Sequence, residues 1–228
     1  MKDDLGKRMK TYYEDRFRFK LLRRTYTIIR IDGKAFHTYT KGMERPFDSN
    51  FISVMNEVAL KLVENIEGAK CAYVQSDEIS LIITDFDNIG TDAFFDNNLQ
   101  KLCSVSSSMA TAYFNQVAYP LFNKIGIFDS RVFQLPCREE VFNYLIWRQK
   151  DATRNSVQSC AQSKFSHSEL NHKNVLQQKQ MLNSVEFNWD NLDDTLKYGR
   201  IITKDACVGI DFLNHRWYLK NLIPDNSL

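Results

Sequence analysis

Two short stretches carry acids where chemistry can be done. In Ile28-Ile29-Arg30-Ile31-Asp32-Gly33-Lys34 an apolar run ends in an acid and a glycine. In Tyr73-Val74-Gln75-Ser76-Asp77-Glu78-Ile79-Ser80-Leu81-Ile82 two β-prone runs are split by a polar break with two adjacent acids. Carboxylates at strand ends that converge in space hold paired magnesium ions for phosphoryl or nucleotidyl transfer. Asp32 and Asp77 can each offer a carboxylate to both of two such ions, and the Gly33 carbonyl can add a neutral oxygen. Glycine after the acid also lets a nucleotide approach the backbone closely. The plainer reading of Asp-Gly alone is a turn. Lys34, Lys41, Arg45 and Lys101 can meet triphosphate oxygens or lie as surface charges. Arg131, in Phe128-Asp129-Ser130-Arg131, can face a ligand or pair with Asp129. The four histidines, His37, His167, His172 and His215, lack metal-ligand spacing. No P-loop, Gly-x-Gly-x-x-Gly or Ser-His-Asp pattern is present.

For the acids to act together, the intervening elements must bring them to one place. The spacing predicts a helix over 3–20, capped by Asp3 or Asp4, with Leu5, Met9, Tyr12 and Tyr13 on helical spacing. It predicts a strand over 26–31, buried on both faces, and a loop over 34–49. A helix follows from an Asn50 cap to about Ile66, with Ile52, Met55, Ala59, Leu62 and Ile66 inward. A hairpin over 71–74 and 79–84 comes next. After a polar loop, a helix runs from Leu99 to about Tyr119, with Leu102, Val105, Met109 and Ala112 inward and Pro120 beyond its end. A strand over 127–135 completes β-α-β-β-α-β. That order is the α+β, ferredoxin-like arrangement, in which the first and third strands pair antiparallel at the centre of the sheet. The end of the first strand, Asp32, then lies beside the start of the third, Asp77 and Glu78.

Residues 1–136 read as this palm-like domain, and 137–228 as a mainly helical C-terminal region packed on it. Within the second part, 138–164 is helical with Val141, Tyr144, Leu145 and Trp147 on one side. A further helix is expected over 172–183, a short strand over 198–202, and a hairpin or edge strand over 212–222.

The chain has 228 residues, 43% hydrophobic and 13% aromatic, enough for a sizeable core. No run of about 18 apolar residues exists, so no membrane-spanning helix is expected. The polar start, Met1-Lys2-Asp3-Asp4, shows no signal-peptide segment, and its acids are unlike a mitochondrial leader. The five cysteines are scattered, which fits a reducing, intracellular setting with a cytoplasmic location expected. The net charge is only +2, yet eight basic residues stand between Lys7 and Arg24 against Glu14 and Asp15. That cluster can meet phosphates or form a solvated helix face.

Taken together, several motifs resemble the tRNA(His) guanylyltransferase family. They are Arg30-Ile31-Asp32-Gly33-Lys34-Ala35-Phe36-His37, Arg45-Pro46-Phe47-Asp48, Gln75-Ser76-Asp77-Glu78, Phe128-Asp129-Ser130-Arg131 and Trp147-Arg148-Gln149-Lys150-Asp151. The resemblance implies a polymerase-palm fold and nucleotide addition to the 5′ end of tRNA, opposite to the usual polymerase direction. ATP or GTP would activate the 5′-monophosphate, with two Mg2+ ions as cofactors. It implies metal ligation by Asp32, Gly33 and Asp77, and a catalytic role for Asp32, Asp77 and Glu78. Nucleotide contacts would come from Lys34, Ala35, Phe36, His37, Arg45, Asp48, Ser76 and Lys101. Contacts with tRNA would come from Arg131, Arg148, Gln149, Asp151, Asn155 and Lys164. A homotetramer, a dimer of dimers, is the implied assembly. Guanylyltransferases proper carry a His-Ile-Asn-Asn run where this chain reads Thr153-Arg154-Asn155-Ser156. Its loss resembles the guanylyltransferase-like branch, which repairs 5′-truncated tRNAs on a template rather than adding an untemplated G to tRNA(His). A palm-type nucleotide cyclase and a non-catalytic tRNA-binding scaffold are the competing classes.

Overall fold

The computed structural model describes residues 4–225. The palm order is present: β1 (Tyr26–Gly33), α3 (Ser49–Asn65), β2 (Ala69–Gln75), β3 (Glu78–Ile83), α4 (Leu99–Phe122) and β4 (Phe128–Leu135). Before them lies α1 (Leu5–Met9), and between β1 and α3 a short α2 (Phe36–Tyr39). After β4 come α5 (Arg138–Lys164), α6 (His167–Leu170), α7 (Val175–Ser184) and α8 (Asp194–Lys197). Two short strands, β5 (Arg200–Ile202) and β6 (Cys207–Val208), and α9 (Arg216–Leu222) complete the fold. The strands form one antiparallel sheet in the order β4-β1-β3-β2-β5-β6, so β5 and β6 extend the palm sheet from beyond residue 136.

Alternation along the central strands sorts their side chains to two faces. Ile29, Ile31, Val74, Ile79 and Leu81 pack under α3 and α4 with Leu62, Phe114 and Phe36. Tyr26, Ile28, Tyr73 and Ile82 face the other way and pack with Val141, Phe142 and Leu145 of α5 and Leu219 of α9. Burial of each such side chain contributes about 2 kcal/mol. A sheet covered on both faces explains why β1 and β3 read as continuous apolar runs.

The pairing of β1 with β3 places Asp32 directly opposite Glu78, and β4 places Asp129 opposite Asp32 and Arg131 opposite Arg30. Strand-end acids distant in sequence therefore meet as the topology requires.

Several local expectations change. Helix α3 starts two residues early, because the Asp48 side chain caps it by accepting the Phe51 N–H at 2.9 Å. Helix α4 runs through Pro120 to Phe122 and stops at Asn123, whose φ is 49°. A proline near a helix end removes one backbone bond without stopping the last turn. The inward face of α4 is Leu102, Ser106, Ala110, Phe114 and Ala118, while Ala112 is exposed. The small Ser106 lets the helix sit close to β4, with its hydroxyl 3.0 Å from that of Ser130.

The N-terminal segment continues from α1 through a π-helical turn (Lys10–Glu14) and a 3-10 turn (Asp15–Phe17), capped by Asp4; Asp3 lies outside the described residues. Leu5, Met9, Tyr12 and Tyr13 are all exposed there rather than buried. Residues 34–49 are not wholly loop, since α2 lies within them. Trp147 is 53% exposed, off the buried side of α5. Residues 212–222 form no hairpin: α9 buries Leu219, with Ile223 one turn on, a helical spacing.

Candidate active site

The β2–β3 hairpin carries the key turn. Gln75 and Glu78 pair, and only Ser76 and Asp77 connect them, with Ser76 held at φ 47°. The tight connection puts the Asp77 carboxyl at the sheet end beside Asp32, near enough that their charges repel. Burial, with that repulsion and the neighbouring Glu78 acting in the same sense, lifts Asp77 to about 6, against the lowering pull of its own backbone and Ser76. Asp32 is also raised, first by burial and then by Asp129, while Arg131, Arg30 and Arg148 pull it down. Among the described residues neither acid has an ion-pair partner.

Glu78 is placed differently. Arg148 on α5 donates from Nε to its Oε1 at 2.8 Å and from Nη2 to its Oε2 at 2.7 Å. Both side chains are buried, and Arg148 also donates to Asp151 at 2.9 Å. Ser80 adds a long 3.4 Å bond to Glu78 and sits 2.7 Å from the Tyr144 hydroxyl. Both Glu78 oxygens are thus committed to a guanidinium, and the acid ties the start of β3 to α5.

Beside the turn opens a cavity of about 360 Å3, walled by the 40–48 loop, the start of α3, Gln75 and Ser76, the middle of α5 and residues 195–200. Its volume is in the range of small-molecule sites. The loop is fastened to α5 where Ser159 Oγ donates to the Pro46 carbonyl at 2.7 Å. At the opposite wall Gly199 has φ +78°, and a Cβ there would lie 2.5 Å from the Tyr73 hydroxyl. Only glycine allows that close approach, which brings Arg200 to the cavity. The Tyr73 hydroxyl donates to the Tyr198 carbonyl at 2.6 Å and fixes the approach.

Of the expected nucleotide contacts, His37, Arg45, Asp48 and Ser76 line this cavity. Asp48 does so while its carboxylate serves α3 and accepts the Glu44 N–H at 3.1 Å. Lys34 and Ala35 are exposed outside it, and Lys34 N–H donates to the Ile127 carbonyl. Phe36 is a core residue, 3% exposed, stacked on Tyr39 and packed against Phe114 and Phe128. It has no face left for a base. Lys101 stands elsewhere, in a basic cavity of about 480 Å3 with Arg18, Lys20 and Arg23. Part of the 7–24 basic cluster is thereby gathered at one site, although Lys20 is ion-paired with Asp96.

The expected tRNA contacts divide as well. Arg131 and Lys164 are exposed, and among the described residues the Asp129–Arg131 ion pair is not formed. Asn155 lines the 360 Å3 cavity. Gln149 is 2% exposed, with its amide bonded to the Ile210 carbonyl and the Phe212 N–H. Arg148 is occupied by Glu78, and Asp151 is shared between Arg148 and Arg154. Sequence reasoning missed Gln75 and Arg200 as cavity residues. The one available signal was a charged residue in the otherwise apolar strand Arg200-Ile201-Ile202.

Residues 6–136 match the family described as tRNAHis guanylyltransferase. A bacterial tRNA(His) guanylyltransferase-like protein in complex with ATP is 41% identical, with a TM-score of 0.89 over 96% of this chain and 99% of that one. An uncharacterized protein of Acanthamoeba polyphaga mimivirus is 31% identical, covering 89% of this chain and 77% of its own. The probable tRNA(His) guanylyltransferase of Drosophila melanogaster is 32% identical over 62% of this chain and 50% of its own length. The chain spans about half the length of the curated guanylyltransferases it matches. On the shared palm sheet and the matched 6–136 segment, this chain belongs to the tRNA(His) guanylyltransferase family of nucleotidyltransferases.

Proposed function

We propose that this chain adds nucleotides to the 5′ end of 5′-truncated tRNA in the 3′–5′ direction, following a template base, after ATP or GTP activates the 5′-monophosphate. The observation that carries the reading is the meeting of Asp32 and Asp77 at the hairpin tip, one residue from a nucleotide-sized cavity. The ATP complex of the similar bacterial protein supports a nucleoside triphosphate as the occupant.

The residues fit magnesium. Two partly buried carboxylates that repel each other, with no ion pair among the described residues, are what a divalent cation relieves. Among the described residues no group of three or more His, Cys, Asp or Glu side chains is arranged to hold a metal. Magnesium is commonly held by one or two carboxylates whose remaining ligands are water and substrate phosphates. Asp32, Asp77 and the Gly33 carbonyl would hold two such ions, which when bound supply charge neutralisation at the attacking oxygen and at the leaving group. The protein's own share is placement. Ser76 at the cavity rim and Arg45 on its loop side can meet phosphate oxygens, and α5 with the 40–48 loop shields the nucleoside from water.

Thr153, in place of the family's histidine, adjoins the cavity-lining Ala152 and favours the templated branch. Addition of an untemplated G to tRNA(His) is the second reading, favoured by the guanylyltransferase relatives. The exposed apolar stripe of Leu5, Met9, Tyr12, Tyr13 and Phe17 supports self-association toward the expected homotetramer. Light scattering that finds only monomer at micromolar concentration would contradict that assembly. Five free thiols accord with an intracellular setting, and no helix among the described residues is long and apolar enough to cross a membrane.

The test is extension of a 5′-monophosphorylated tRNA lacking its first nucleotide, with ATP and each NTP. A product one nucleotide longer, absent with Asp77→Ala, is expected. Full activity in that variant would return the metal reading to an ordinary turn.

A further inference from the structure

On the sheet face that α5 covers, β1 and β4 carry a pair of like charges that the fold does not use. Side chains alternate along a strand, so Arg30 and Asp32 share the face of Ile28, which packs under α5 with Phe133. The register sets Phe133 opposite Ile28, Arg131 opposite Arg30 and Asp129 opposite Asp32, all on that face. Arg30 is half-buried and Arg131 exposed, and among the described residues neither forms an ion pair, with Asp32 and Asp129 next along the strands. Like charges directly opposite on neighbouring strands repel. Two guanidiniums held side by side in this way are relieved by an anion, and their planar forks suit a phosphate.

Trp147 stands over the same ledge. Its α5 neighbours Tyr144 and Arg148 are buried, yet Trp147 is 53% exposed. The guanidiniums of Arg148 and Arg30 lie 4.6 and 6.0 Å from its ring centroid. Arg148 is tied to Glu78 on β3 and Arg30 belongs to β1, so both reach the indole from the sheet and its open part is turned away from the sheet. An open aromatic ring beside unpaired basic groups is what a nucleic acid strand engages, base on the ring and phosphate on the cations.

The order of the strands says which nucleotide that is. In β4-β1-β3-β2-β5 the ledge lies on β4 and β1, the 360 Å3 cavity is walled by Gln75 of β2 and Arg200 of β5, and Asp32 and Asp77 stand between the two. With a nucleoside triphosphate in the cavity, RNA meets the acids from the other side. Arg30 is two residues from Asp32, about 7 Å along the strand, so the ledge adjoins the place of the reacting 5′ phosphate.

We propose that Trp147 is the stacking platform for the 5′-terminal base of the RNA, with the phosphate of that nucleotide against Arg30 and Arg131. The inference rests on the 5′-end addition proposed above.

The experiment measures binding by the full chain of a 5′-monophosphorylated tRNA lacking its first nucleotide, and of the same RNA with an abasic 5′-terminal nucleotide, for the wild type, Trp147→Ala and Trp147→Phe, alongside thermal melts and light scattering. Trp147→Ala should bind the intact RNA about tenfold more weakly, the worth of one stacked base, and Trp147→Phe should recover most of that loss. The wild type should lose about tenfold on the abasic RNA, a result that needs no variant to fold, and Trp147→Ala should lose no more than twofold between the two RNAs. Wild-type protein that binds neither RNA would overturn the 5′-end reading itself. Wild-type binding that Trp147→Ala leaves unchanged, or an equal loss by that variant on both RNAs, would overturn the stacking platform alone. A change in assembly size with RNA affinity kept would also overturn it, and would give the ring to a contact between copies of this chain.

Discussion

Removing either partner of the Glu78–Arg148 pair separates a positioning acid from one that touches reacting atoms. The pair is bidentate, at 2.8 and 2.7 Å, with side chains 8% and 11% exposed. Breaking a buried pair by removing one partner costs about 3–5 kcal/mol, because the other charge stays buried. Glu78→Gln should fall at the lower end, since Asp151 still accepts from Arg148 at 2.9 Å. Arg148→Met strands Glu78 with only the long Ser80 bond and should fall at the upper end. For a chain of this size the losses lower Tm by roughly 10 °C. The double variant, Glu78→Gln with Arg148→Met, removes both charges and should recover most of the loss, with a coupling of about 2 kcal/mol or more. Chemical denaturation of the four proteins gives the cycle, and 5′-end extension by the same four gives the activity. If Glu78 acts by tying β3 to α5, extension returns with stability in the double variant, to within about tenfold of wild type. A stable but inactive double variant would place Glu78 at the reacting atoms. Single losses below about 1 kcal/mol that simply add would refute the buried-pair argument outright.

Three shorter predictions follow from other parts of the site. Because burial and Asp32 raise Asp77 from its ordinary value of 3.8 to about 6, its ionisation opposes folding: its contribution to stability is complete below about pH 4 and is lost as pH rises through 6. Asp77→Asn should therefore melt higher than wild type at pH 7.5 in a chelator and equal to it at pH 4, and magnesium should stabilise the wild type more; a lower melt for the variant at pH 7.5 would contradict this. Gly199→Ala, which puts a Cβ 2.5 Å from the Tyr73 hydroxyl at a φ of +78°, should cost about 2 kcal/mol or more in denaturant unfolding and weaken nucleotide binding. Phe36→Leu should lower Tm through lost packing against Phe114 and Phe128 while leaving the nucleotide Kd within twofold; a selective loss of binding would restore Phe36 to the cavity.

The palm topology was legible because β1 and β3 are apolar on both faces and because the turn at Ser76-Asp77 is short. Those two features alone bring Asp32 to Asp77. The sequence could not show that β5 and β6 join the same sheet, since three- and two-residue strands carry almost no periodicity. Nor could it show that Phe36 and Gln149 are buried, for a related reason. A motif groups residues by adjacency, whereas the fold sends alternate ones to opposite surroundings, Phe36 to the core and His37 to the cavity. Glu78 reads as one of two equal acids until Arg148 on α5, 70 positions away, is seen to occupy it.

The central claim is templated 5′-end addition, and the most direct measurement is extension of 5′-monophosphorylated tRNAs lacking their first nucleotide, in four versions that differ only in the opposing base. Each version should take up the complementary nucleotide, and no product should form without RNA. Addition of G whatever the opposing base, or a cyclic nucleotide made in the absence of tRNA, would contradict it.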